Sequence, residues 1–351
     1  MSKHPLTYFI TGATGFIGEE LLRQLPSDAT VYALVRDLKK APKKGEATFQ
    51  KNIIWIEGDL CDENIVFDEK MRETLKNKVN MVLHLGAAYD LTASHESMYN
   101  VNVIGTRQLI HFSQNFLHLK KFIYASTMAV SGDFVGEYQE NMFDVSQGFP
   151  NSYASTKFAA EADIRNWKTD VQRIVLRLGI VVGRSSDGWM PKVDGPYYLL
   201  KALQSSPMVT LLARNLGYIA LPFDEKARPS LVPVDEVAEA FALCAREQKV
   251  GGSLCVYHIM GPNGGIPIRT VLKSILKAAG LVVHLWPLPK AMVPSWLVQA
   301  LGLPDSAMFY FYSRTRYSVR EFQKDYPDFI SRKFEEYSSR VFSSKIIREK
   351  K

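Results

Sequence analysis

A glycine-rich stretch near the start of the chain constrains the fold more than any other feature of the sequence. A short apolar run, residues 7–11, leads directly into three glycines at a spacing of three: Gly12, Gly15 and Gly18. Glycine permits a sharp turn and a close approach of another group, and apolar residues then recur every fourth position, as in a helix with one buried face. Such a strand, turn and helix bind a pyrophosphate on the loop and the helix N-terminus. The predicted contacts to a dinucleotide are Gly12, Thr14, Gly15, Phe16 and Ile17.

Short apolar runs and helical stretches alternate over the first half of the chain. The runs predict strands near residues 30–36, 53–56, 81–85 and 121–125, and a helix is predicted from Asn100 to about Leu117. This alternation predicts an α/β fold with a doubly wound parallel sheet. Because ligands bind at the carboxyl edge of such a sheet, residues that follow its strands are candidate dinucleotide contacts. These candidates are Asp59, Leu60, Leu85, Gly86 and Ala87.

The second predicted strand ends in a basic residue. In a sheet of this kind the residue at that position meets the adenosine ribose. An acidic residue there would bind the ribose hydroxyls of NAD, whereas Arg36 suits the 2′-phosphate of NADP. Four lysines follow closely: Lys39, Lys40, Lys43 and Lys44. The sequence therefore predicts NADP(H) as the cofactor, and the alternative is a solvated basic loop, since charge runs are usually surface features.

A tyrosine and a lysine four residues apart, Tyr153 and Lys157, follow the fifth predicted strand. On a helix they share one face, so the ammonium group would favour the ionised phenol and lower the tyrosine pKa toward working pH. The tyrosine then becomes a usable proton donor, and the Thr127 hydroxyl at the strand end can bind the same substrate oxygen. Ser126 is adjacent, but strand alternation sends it to the opposite face. An exposed helical pair without a catalytic role is the alternative.

Together these motifs resemble the extended short-chain dehydrogenase/reductase superfamily over residues 6 to about 237. The resemblance rests on the glycine loop, on Tyr153 with Lys157, and on the segments 84–88 and 177–183. It implies a Rossmann core in which Asp59 touches the adenine and Lys157 holds the nicotinamide ribose.

The same resemblance assigns further residues. Asn102 would support the site, Thr127 would replace the usual serine, and Gly179 and Ile180 would join the cofactor contacts. Two positions depart from the superfamily pattern: Gly86 stands where alanine is common, and Leu178 where proline is common. Neither departure removes a reacting group.

A narrower resemblance is to the thioester reductase and fatty acyl-CoA reductase branch, the male-sterility-type NAD-binding family. It rests on Val35-Arg36, on Ser126-Thr127 and on the Asp-Gly-Pro-Tyr-Tyr sequence of residues 194–198. It implies an NADPH-dependent reductase that converts a fatty acyl thioester into an aldehyde or an alcohol.

Three other functions stay open at the level of sequence. They are a 3-hydroxysteroid or hydroxyacyl dehydrogenase, a sugar-nucleotide epimerase or dehydratase, and a redox-sensing NADP-binding module without turnover. The apolar C-terminal region disfavours a nucleotide-sugar site, which needs a denser polar lining. The presence of both Tyr153 and Lys157 disfavours a module without turnover.

The predicted core comprises residues 1–185, to which residues 229–260 return. A smaller substrate-binding region is predicted from residues 186–228 and 261–351, where glycine, proline and aromatic residues replace the regular pattern. Apolar residues of this region are predicted to line the acyl site: Met190, Tyr197, Tyr198, Leu199, Leu200, Trp286 and Trp296.

The net charge of +7 is concentrated in residues 36–51 and 332–351, each of which carries +4. Two local patches without a nucleic-acid-binding motif argue against a nucleic-acid partner. Residues 281–312 are the most apolar region, but four prolines interrupt it and prevent a membrane span. This region predicts packing against the substrate region, an apolar mouth that binds the acyl group or, with the basic tail, peripheral contact with a membrane. A small apolar substrate is the expected partner, and a homodimer is a further expectation.

The cysteines and histidines lack the spacing of a metal site. Cys61, Cys244 and Cys255 form neither a disulfide pattern nor a ligand set, so we expect no metal and a reducing, cytoplasmic environment. His84 and His258 are predicted to be packed side chains. The first five residues lead straight into the first strand and leave no room for a signal peptide.

Overall fold

The first strand is buried at all five positions, as expected where helices cover both faces of a parallel sheet. The computed structural model describes residues 6–42, 52–89, 93–191, 193–246, 253–294, 298 and 308–343. In chain order the strands are β1 (Thr7–Thr11), β2 (Thr30–Val35), β3 (Ile53–Glu57), β4 (Met81–His84), β5 (Lys121–Thr127), β6 (Gly136–Tyr138), β7 (Gln172–Leu178), β8 (Ile180–Val182), β9 (Tyr218–Pro222), β10 (Leu231–Pro233), β11 (Leu254–Ile259), β12 (His284–Leu288) and β13 (Thr315–Tyr317). The α-helices are α1 (Phe16–Gln24), α2 (Glu69–Lys78), α3 (His95–Tyr99), α4 (Gly105–Ser113), α5 (Ser152–Asn166), α6 (Tyr197–Ser205), α7 (Pro207–Leu216), α8 (Val234–Arg246), α9 (Ile268–Ala278), α10 (Met308–Tyr312), α11 (Arg320–Asp325) and α12 (Phe334–Val341).

Seven strands form the main sheet in the order β11-β7-β5-β4-β1-β2-β3. β1 pairs in parallel with β2 on one side and with β4 on the other, so the strand order reverses beside β1. Ligands of doubly wound sheets bind at this switch point, outside the carboxyl ends of the strands. The predicted α/β fold with a doubly wound parallel sheet is confirmed.

Contacts divide the chain into two compact units. The first unit comprises Met1–Val130, Asn151–Leu178 and Asp235–Tyr257, and the second comprises Ser131–Pro150, Gly179–Val234 and His258–Lys351. The sequence-based division differs because it kept residues 131–150 and 179–185 in the core. A substrate-binding role for the second unit stays a prediction.

The second unit contains short two-stranded parallel sheets. β8 pairs with β10, β9 with β12, and β6 with β13. Residues 229–234 were predicted to return to the core, but their strand β10 pairs with β8 and not with the main sheet. The buried core of this unit includes Tyr197, Leu200, Leu272, Tyr337 and Phe342.

The helix predicted from Asn100 to about Leu117 differs at both ends. It begins one turn earlier with α3, where the Ser94 hydroxyl caps the first turn by accepting from the Ser97 N–H. The chain then passes through a π-helical segment, Asn100–Ile104, before α4 ends at Ser113. Such wide turns are frequent at functional sites, and this one carries Asn102.

Candidate active site

The glycine loop has the geometry of an anion cradle. Gly12 has a φ of +72°, and a Cβ there would lie 2.7 Å from the backbone of Leu85 and Gly86. A Cβ on Gly18 would lie 2.2 Å from the Gly12 carbonyl oxygen, so glycine at this position lets α1 pack against the loop. The backbone after β1 is thus in contact with the backbone after β4, and a side chain at Gly12 would prevent this contact.

The N-terminus of α1 is open to an anion. Its N-cap is Gly15, which has no side chain to bond the first-turn N–H groups, and the Gly15 N–H itself donates to the Gly12 carbonyl at 3.0 Å. Thr14 and Gly15 are exposed. Helix N-termini with this exposure favour phosphate groups, so the loop fits the pyrophosphate of a dinucleotide. The contacts predicted for Thr14, Phe16 and Ile17 stay predictions.

Arg36 directly follows β2 and is exposed. Burial and the nearby Asp59 carboxylate raise the pKa of Cys61, and the charge of Arg36 opposes that rise without cancelling it. The adjacent carboxylate of Asp37 accepts a 2.9 Å bond from the Lys39 N–H. Arg36 is thus the charged side chain presented at this strand end. Lys43 and Lys44 lie outside the described residues, as does the side chain of Lys40.

The turn after β3 is held by its own polar groups. Asp59 Oδ1 accepts from the Cys61 N–H at 2.9 Å, and the Asp59 N–H donates to the Ile65 carbonyl. Asp59 and Leu60 are both half-buried. The Leu60 side chain also explains one departure from the family pattern, since a Cβ on Gly86 would lie 2.7 Å from Leu60 Cδ1.

Ser126 and Thr127 at the end of β5 point in different directions, as strand alternation predicts. The Ser126 hydroxyl donates to Glu161 Oε2 at 2.6 Å inside the protein. Thr127 Oγ1 accepts from the Ala129 N–H at 3.2 Å, which uses a lone pair and leaves its proton to donate. This arrangement supports Thr127, not Ser126, as the hydroxyl for a substrate oxygen.

Glu161 forms a buried ion pair beneath the strand end. Its carboxylate accepts from Arg177 Nη2 at 2.7 Å and from Arg165 Nε at 2.9 Å. Burial raises the pKa of Glu161, but the two guanidinium groups and the Ser126 hydroxyl outweigh burial, so the pKa is lowered. A buried charge with several charge-assisted bonds is fixed in position, and this one lies on helix α5 itself.

Lys157 is buried one turn before Glu161 on α5. Its ammonium group donates to the Ala125 carbonyl at 2.6 Å and lies 4.2 Å from the centre of the Tyr124 ring. Burial lowers the pKa of Lys157 from 10.5 to about 7, against the opposing effect of Glu161. The lysine is therefore anchored to β5 two residues before Thr127, with a pKa at which it can exchange a proton.

Tyr153 lies in the first turn of α5 and is half-buried. The predicted helix for Tyr153 and Lys157 is therefore present. Its ring packs edge-on against Tyr89, with the centroids 4.8 Å apart. Tyr89 was not among the predicted site residues, although an aromatic residue directly after the Gly86-Ala87-Ala88 segment is the signal that could have identified it.

His84 was predicted to be a packed side chain, and it is buried, but it also links three parts of the site. Its Nδ1 lies 2.7 Å from Thr11 Oγ1 and its Nε2 lies 3.0 Å from Thr106 Oγ1. Thr106 donates its own proton to the Asn102 carbonyl at 2.6 Å, so Nε2 must donate to Thr106 and Nδ1 must accept from Thr11. Thr11 Oγ1 in turn accepts from the Gly86 N–H.

The imidazole of His84 is neutral in this arrangement. Burial, followed by the charge of Lys157, lowers the pKa of His84 from 6.5 to about 3. Because one ring nitrogen accepts and the other donates, protonation would break the bond from Thr11. The chain of bonds therefore depends on a neutral histidine.

Asn102 holds the loop after β4 to helix α5. Its Oδ1 accepts from the Ala88 N–H at 2.8 Å, while Nδ2 donates to the Ala88 carbonyl and to Thr156 Oγ1. The amide is thus bonded to protein groups on both sides, which is a positioning role for the segment that contains Leu85, Gly86 and Ala87. Direct contact of Asn102 with a cofactor stays a prediction.

Gly179 and Ile180 belong to the second unit. A Cβ on Gly179 would lie 2.4 Å from the Ser230 carbonyl oxygen, and the Ile180 N–H donates to that same oxygen at 2.7 Å. These contacts explain why glycine is needed where β10 approaches β8. Cofactor contacts of the two residues stay predictions.

The predicted acyl lining is mostly part of the core of the second unit. Tyr197, Leu199 and Leu200 are buried in that core, and the Tyr197 hydroxyl accepts from the Gly183 N–H at 2.9 Å. Burial raises the pKa of Tyr197 above its usual range. Trp286 is instead 66% exposed, and Trp296 lies outside the described residues. The lining prediction is wrong for the buried residues, because their apolar pattern reflects helix packing.

Metal-binding clusters and membrane-spanning helices are both absent from the described ranges. No cluster of three or more histidine, cysteine, aspartate or glutamate side chains that could hold a metal occurs there. No helix among the described residues has both the length and the hydropathy needed to cross a bilayer.

A family model described as male sterility protein, an NAD-binding domain, matches residues 10–241. The chain belongs to this family. It is therefore a member of the extended short-chain dehydrogenase/reductase superfamily in its male-sterility-type NAD-binding branch, which confirms the resemblance predicted from its motifs. The family is an NAD-binding one, and the glycine loop described above fits a nicotinamide dinucleotide.

Relatives of this male-sterility-family chain carry names of two kinds. Fatty acyl-CoA reductase 1 of Homo sapiens is 25% identical in an alignment 279 residues long, which covers 65% of this chain and 52% of that protein. The terminal R domain of the myxalamid PKS-NRPS biosynthetic pathway superposes with a TM-score of 0.77 at 22% identity, over 99% of this chain and 92% of that domain.

A more distant likeness is to a sugar-nucleotide enzyme. The dTDP-glucose 4,6-dehydratase of Bacillus anthracis, in complex with NAD, superposes with a TM-score of 0.65 at 16% identity, over 96% of this chain and 95% of that one. At these identities the solved structures share the fold alone. This chain spans about half the length of the fatty acyl-CoA reductases that it matches.

Proposed function

We propose that the protein is an NADPH-dependent reductase that converts a fatty acyl thioester into the aldehyde. The observation that carries the proposal is the bond from Lys157 Nζ to the Ala125 carbonyl, because it brings the lysine of α5 to the strand end that carries Thr127. Tyr153 lies one turn before Lys157 on the same helix. A hydroxyl, a phenol and a lysine grouped in this way can bind and protonate a carbonyl oxygen.

Thr127, Tyr153 and Lys157 would each have a separate role at the substrate carbonyl. The Thr127 hydroxyl donates to the carbonyl oxygen and fixes its position. Bound NADPH supplies the hydride that the carbonyl carbon accepts. Tyr153 protonates or hydrogen-bonds the oxygen as negative charge develops there, and Lys157, with a pKa of about 7, stabilises the phenolate and can return a proton.

A thioester differs from a ketone because its carbonyl carbon also carries a leaving group. After the carbon gains hydride, the C–S bond breaks and the thiolate takes up a proton, so one NADPH yields one aldehyde and one thiol. The names of the fatty acyl-CoA reductase relative and of the terminal R domain support this substrate class. Further reduction to the alcohol would need a second NADPH.

The preference for NADP(H) over NAD(H) rests on Arg36. A guanidinium at the end of β2 can form paired, charge-assisted bonds with a 2′-phosphate, and the nearest acidic side chain, Asp37, already caps the following turn. We also propose that the second unit supplies the substrate-binding region. The partner that it would bind is a small-molecule substrate, an apolar acyl thioester.

The test is the rate of NADPH consumption across acyl-CoAs of increasing chain length, steroid ketones, 3-oxoacyl thioesters and nucleotide sugars. We expect activity on acyl-CoAs that rises about fourfold per added methylene until the pocket is full, since each buried methylene contributes ~0.8 kcal/mol. If NADPH were consumed only with steroid ketones or 3-oxoacyl thioesters, the result would favour the hydroxysteroid or hydroxyacyl dehydrogenase alternative. Consumption with none of the substrates, together with tight NADPH binding, would favour a sensing module.

A further inference from the structure

Helix α7 of the second unit presents its apolar side chains to solvent. Five large apolar residues of this ten-residue helix are between 47% and 81% exposed: Met208, Val209, Leu211, Leu212 and Leu216. At 100° per residue they span an arc of roughly 160°, which is wider than the apolar stripe of an ordinary core-facing helix. The helix contacts its own unit through Ala213, which is buried.

The exposed apolar surface continues beyond the helix. The His284 N–H donates to the Gly217 carbonyl at 2.9 Å, and Arg214 Nη2 donates to the Gly280 carbonyl at 3.0 Å, so residues 280–284 run beside the end of α7. Val282 in this segment is 93% exposed. β9 and β12 then carry Tyr218 and Trp286, both exposed on the same face of their two-stranded sheet. We define the α7 patch as Val282, Tyr218 and Trp286 together with the five exposed apolar residues of α7.

The segments that carry the α7 patch and the elements beside it have basic but no acidic side chains. Residues 196–222 and 262–294, which form α6, α7, β9, α9 and β12, contain no aspartate or glutamate. They contain six basic residues: Lys201, Arg214, Arg269, Lys273, Lys277 and Lys290. Arg269 pairs with Glu225 just outside these segments, whereas Lys273 and Lys277 are exposed one turn apart on α9.

We propose that the second unit docks on the surface of an anionic lipid bilayer through the α7 patch. Leucine and methionine side chains on one helix face can enter the boundary between headgroups and acyl chains, while tryptophan and tyrosine prefer the headgroup level. Lysines at the margin reach anionic headgroups, and the absence of carboxylates from these segments removes the repulsion that would oppose them. The surface is therefore suited to lipid more than to a protein partner of mixed charge.

This surface differs in part from the one predicted from the sequence. The sequence indicated residues 281–312 with the basic tail, and of that region Val282 and Trp286 belong to the α7 patch, whereas residues 309–312 do not. Tyr312 instead donates its hydroxyl to the Leu288 carbonyl at 2.6 Å, and α12 of the tail is packed by Phe334, Tyr337 and Val341. These side chains are committed to the interior of the unit, whereas those of the α7 patch are exposed.

The experiment is vesicle flotation without substrate, so its outcome does not depend on the reductase activity. The full chain is mixed with vesicles of phosphatidylcholine containing phosphatidylserine, or of phosphatidylcholine alone, at low salt and at roughly 0.5 M salt. We expect flotation with the anionic vesicles at low salt, weaker flotation at high salt, and a blue-shifted Trp286 emission that Trp286→Phe removes.

Two variants and one control locate the surface. The Met208→Ser/Leu212→Ser/Leu216→Ser variant changes only exposed side chains, and we expect its partitioning to fall about tenfold or more. Lys273→Gln/Lys277→Gln should lower partitioning into anionic vesicles by roughly tenfold. The matched control Phe67→Ser/Leu117→Ser/Ile330→Ser replaces three equally exposed apolar residues elsewhere and should float like the unchanged protein. Binding of NADPH by each variant reports that it is folded.

Several results would overturn the proposal. They are the absence of flotation at low salt, or flotation of the α7 variant equal to that of the control. Self-association in solution that the α7 variant abolishes, without vesicle binding, would assign the surface to a second copy. Binding to an acidic protein domain without binding to vesicles would assign it to a protein partner.

Discussion

Tyr153 has the most specific chemical role in the proposed mechanism, because its phenol would complete the reduction by meeting charge on the substrate oxygen. Tyr153→Phe keeps the ring that packs against Tyr89 and removes only the hydroxyl. We expect NADPH binding to be retained and kcat to fall by ~10²-fold or more, the usual contribution of a positioned proton donor. Steady-state kinetics and fluorescence titration measure the two effects. Turnover close to that of the unchanged protein would remove Tyr153 from the mechanism.

Arg36 determines the proposed choice between the two nicotinamide dinucleotides. Charge-assisted bonds to a phosphate contribute enough that Arg36→Ala should weaken NADPH binding by about tenfold or more and NADH binding little. Lys39→Ala is the matched control, since Lys39 is an exposed cation in the same turn. Isothermal titration with both dinucleotides gives the answer, and equal losses for NADPH and NADH would contradict the assignment.

His84 positions groups that touch the proposed cofactor and substrate sites, and it does so only while it is neutral. His84→Leu removes the bonds to Thr11 and Thr106, so we expect kcat and nicotinamide binding to fall together by roughly tenfold. His84→Gln retains one acceptor and one donor and should restore part of both. If the kinetics of His84→Leu were unchanged, His84 would be a packed side chain without a positioning role.

The lowered pKa of His84 also makes the free energy of unfolding depend on pH. Because the pKa falls from 6.5 to about 3 on folding, the unfolded chain binds a proton between those pH values that the folded chain does not. The contribution of His84 to the free energy of unfolding is therefore present above about pH 6.5 and is lost as the pH falls toward 3. Urea unfolding at pH 7 and pH 5 should show a larger acid-induced loss for the unchanged protein than for His84→Gln.

Helix α12 is a structural element of the second unit and not a detachable tail. Phe334, Tyr337 and Val341 are almost completely buried, and Phe342 beyond the helix is fully buried. Removing one large core side chain costs about 3–5 kcal/mol, so deleting all four exceeds the net stability of an ordinary domain. Truncation after Ser331 should therefore produce a protein whose second unit is digested by limited proteolysis.

A milder truncation provides the control for that experiment. A chain that ends after residue 343 keeps α12 and should resist the protease as the full chain does. If the chain that ends after Ser331 were equally resistant, the packing of α12 would contribute little.

The elements that could be predicted from sequence are those with strong local signals. β1, α1 and the glycine loop follow from consecutive apolar residues, helical periodicity and glycine spacing, and the parallel sheet follows from repeated alternation. The start of the helix at His95 was missed because its signal is the Ser94 cap, which lies upstream of the apolar pattern. The π-helical turn that carries Asn102 has no local signature, since it depends on bonds to Ala88 and Thr156 from distant parts of the chain.

Across the whole molecule, sequence motifs identify the family but not the environment of each residue. The i, i+4 spacing predicted that Tyr153 and Lys157 share a helix, but only the structure gives the bond from Lys157 to Ala125 and the buried pair of Glu161 with Arg177. Apolar residues of the second unit were expected at the substrate, and the structure instead places Leu199 and Leu200 in the core. Hydropathy alone does not distinguish a core side chain from a ligand-facing or lipid-facing one.

The central proposal is that a thioester carbonyl accepts hydride from NADPH, and one measurement tests it directly. NADPH deuterated at C4 of the nicotinamide is incubated with the protein and a long-chain acyl-CoA, the aldehyde is trapped as its oxime, and the product is analysed by mass spectrometry with a parallel thiol assay. The account predicts deuterium at the aldehyde carbon and one free thiol for each NADPH consumed. An unlabelled aldehyde, or thiol release without NADPH consumption, would contradict it.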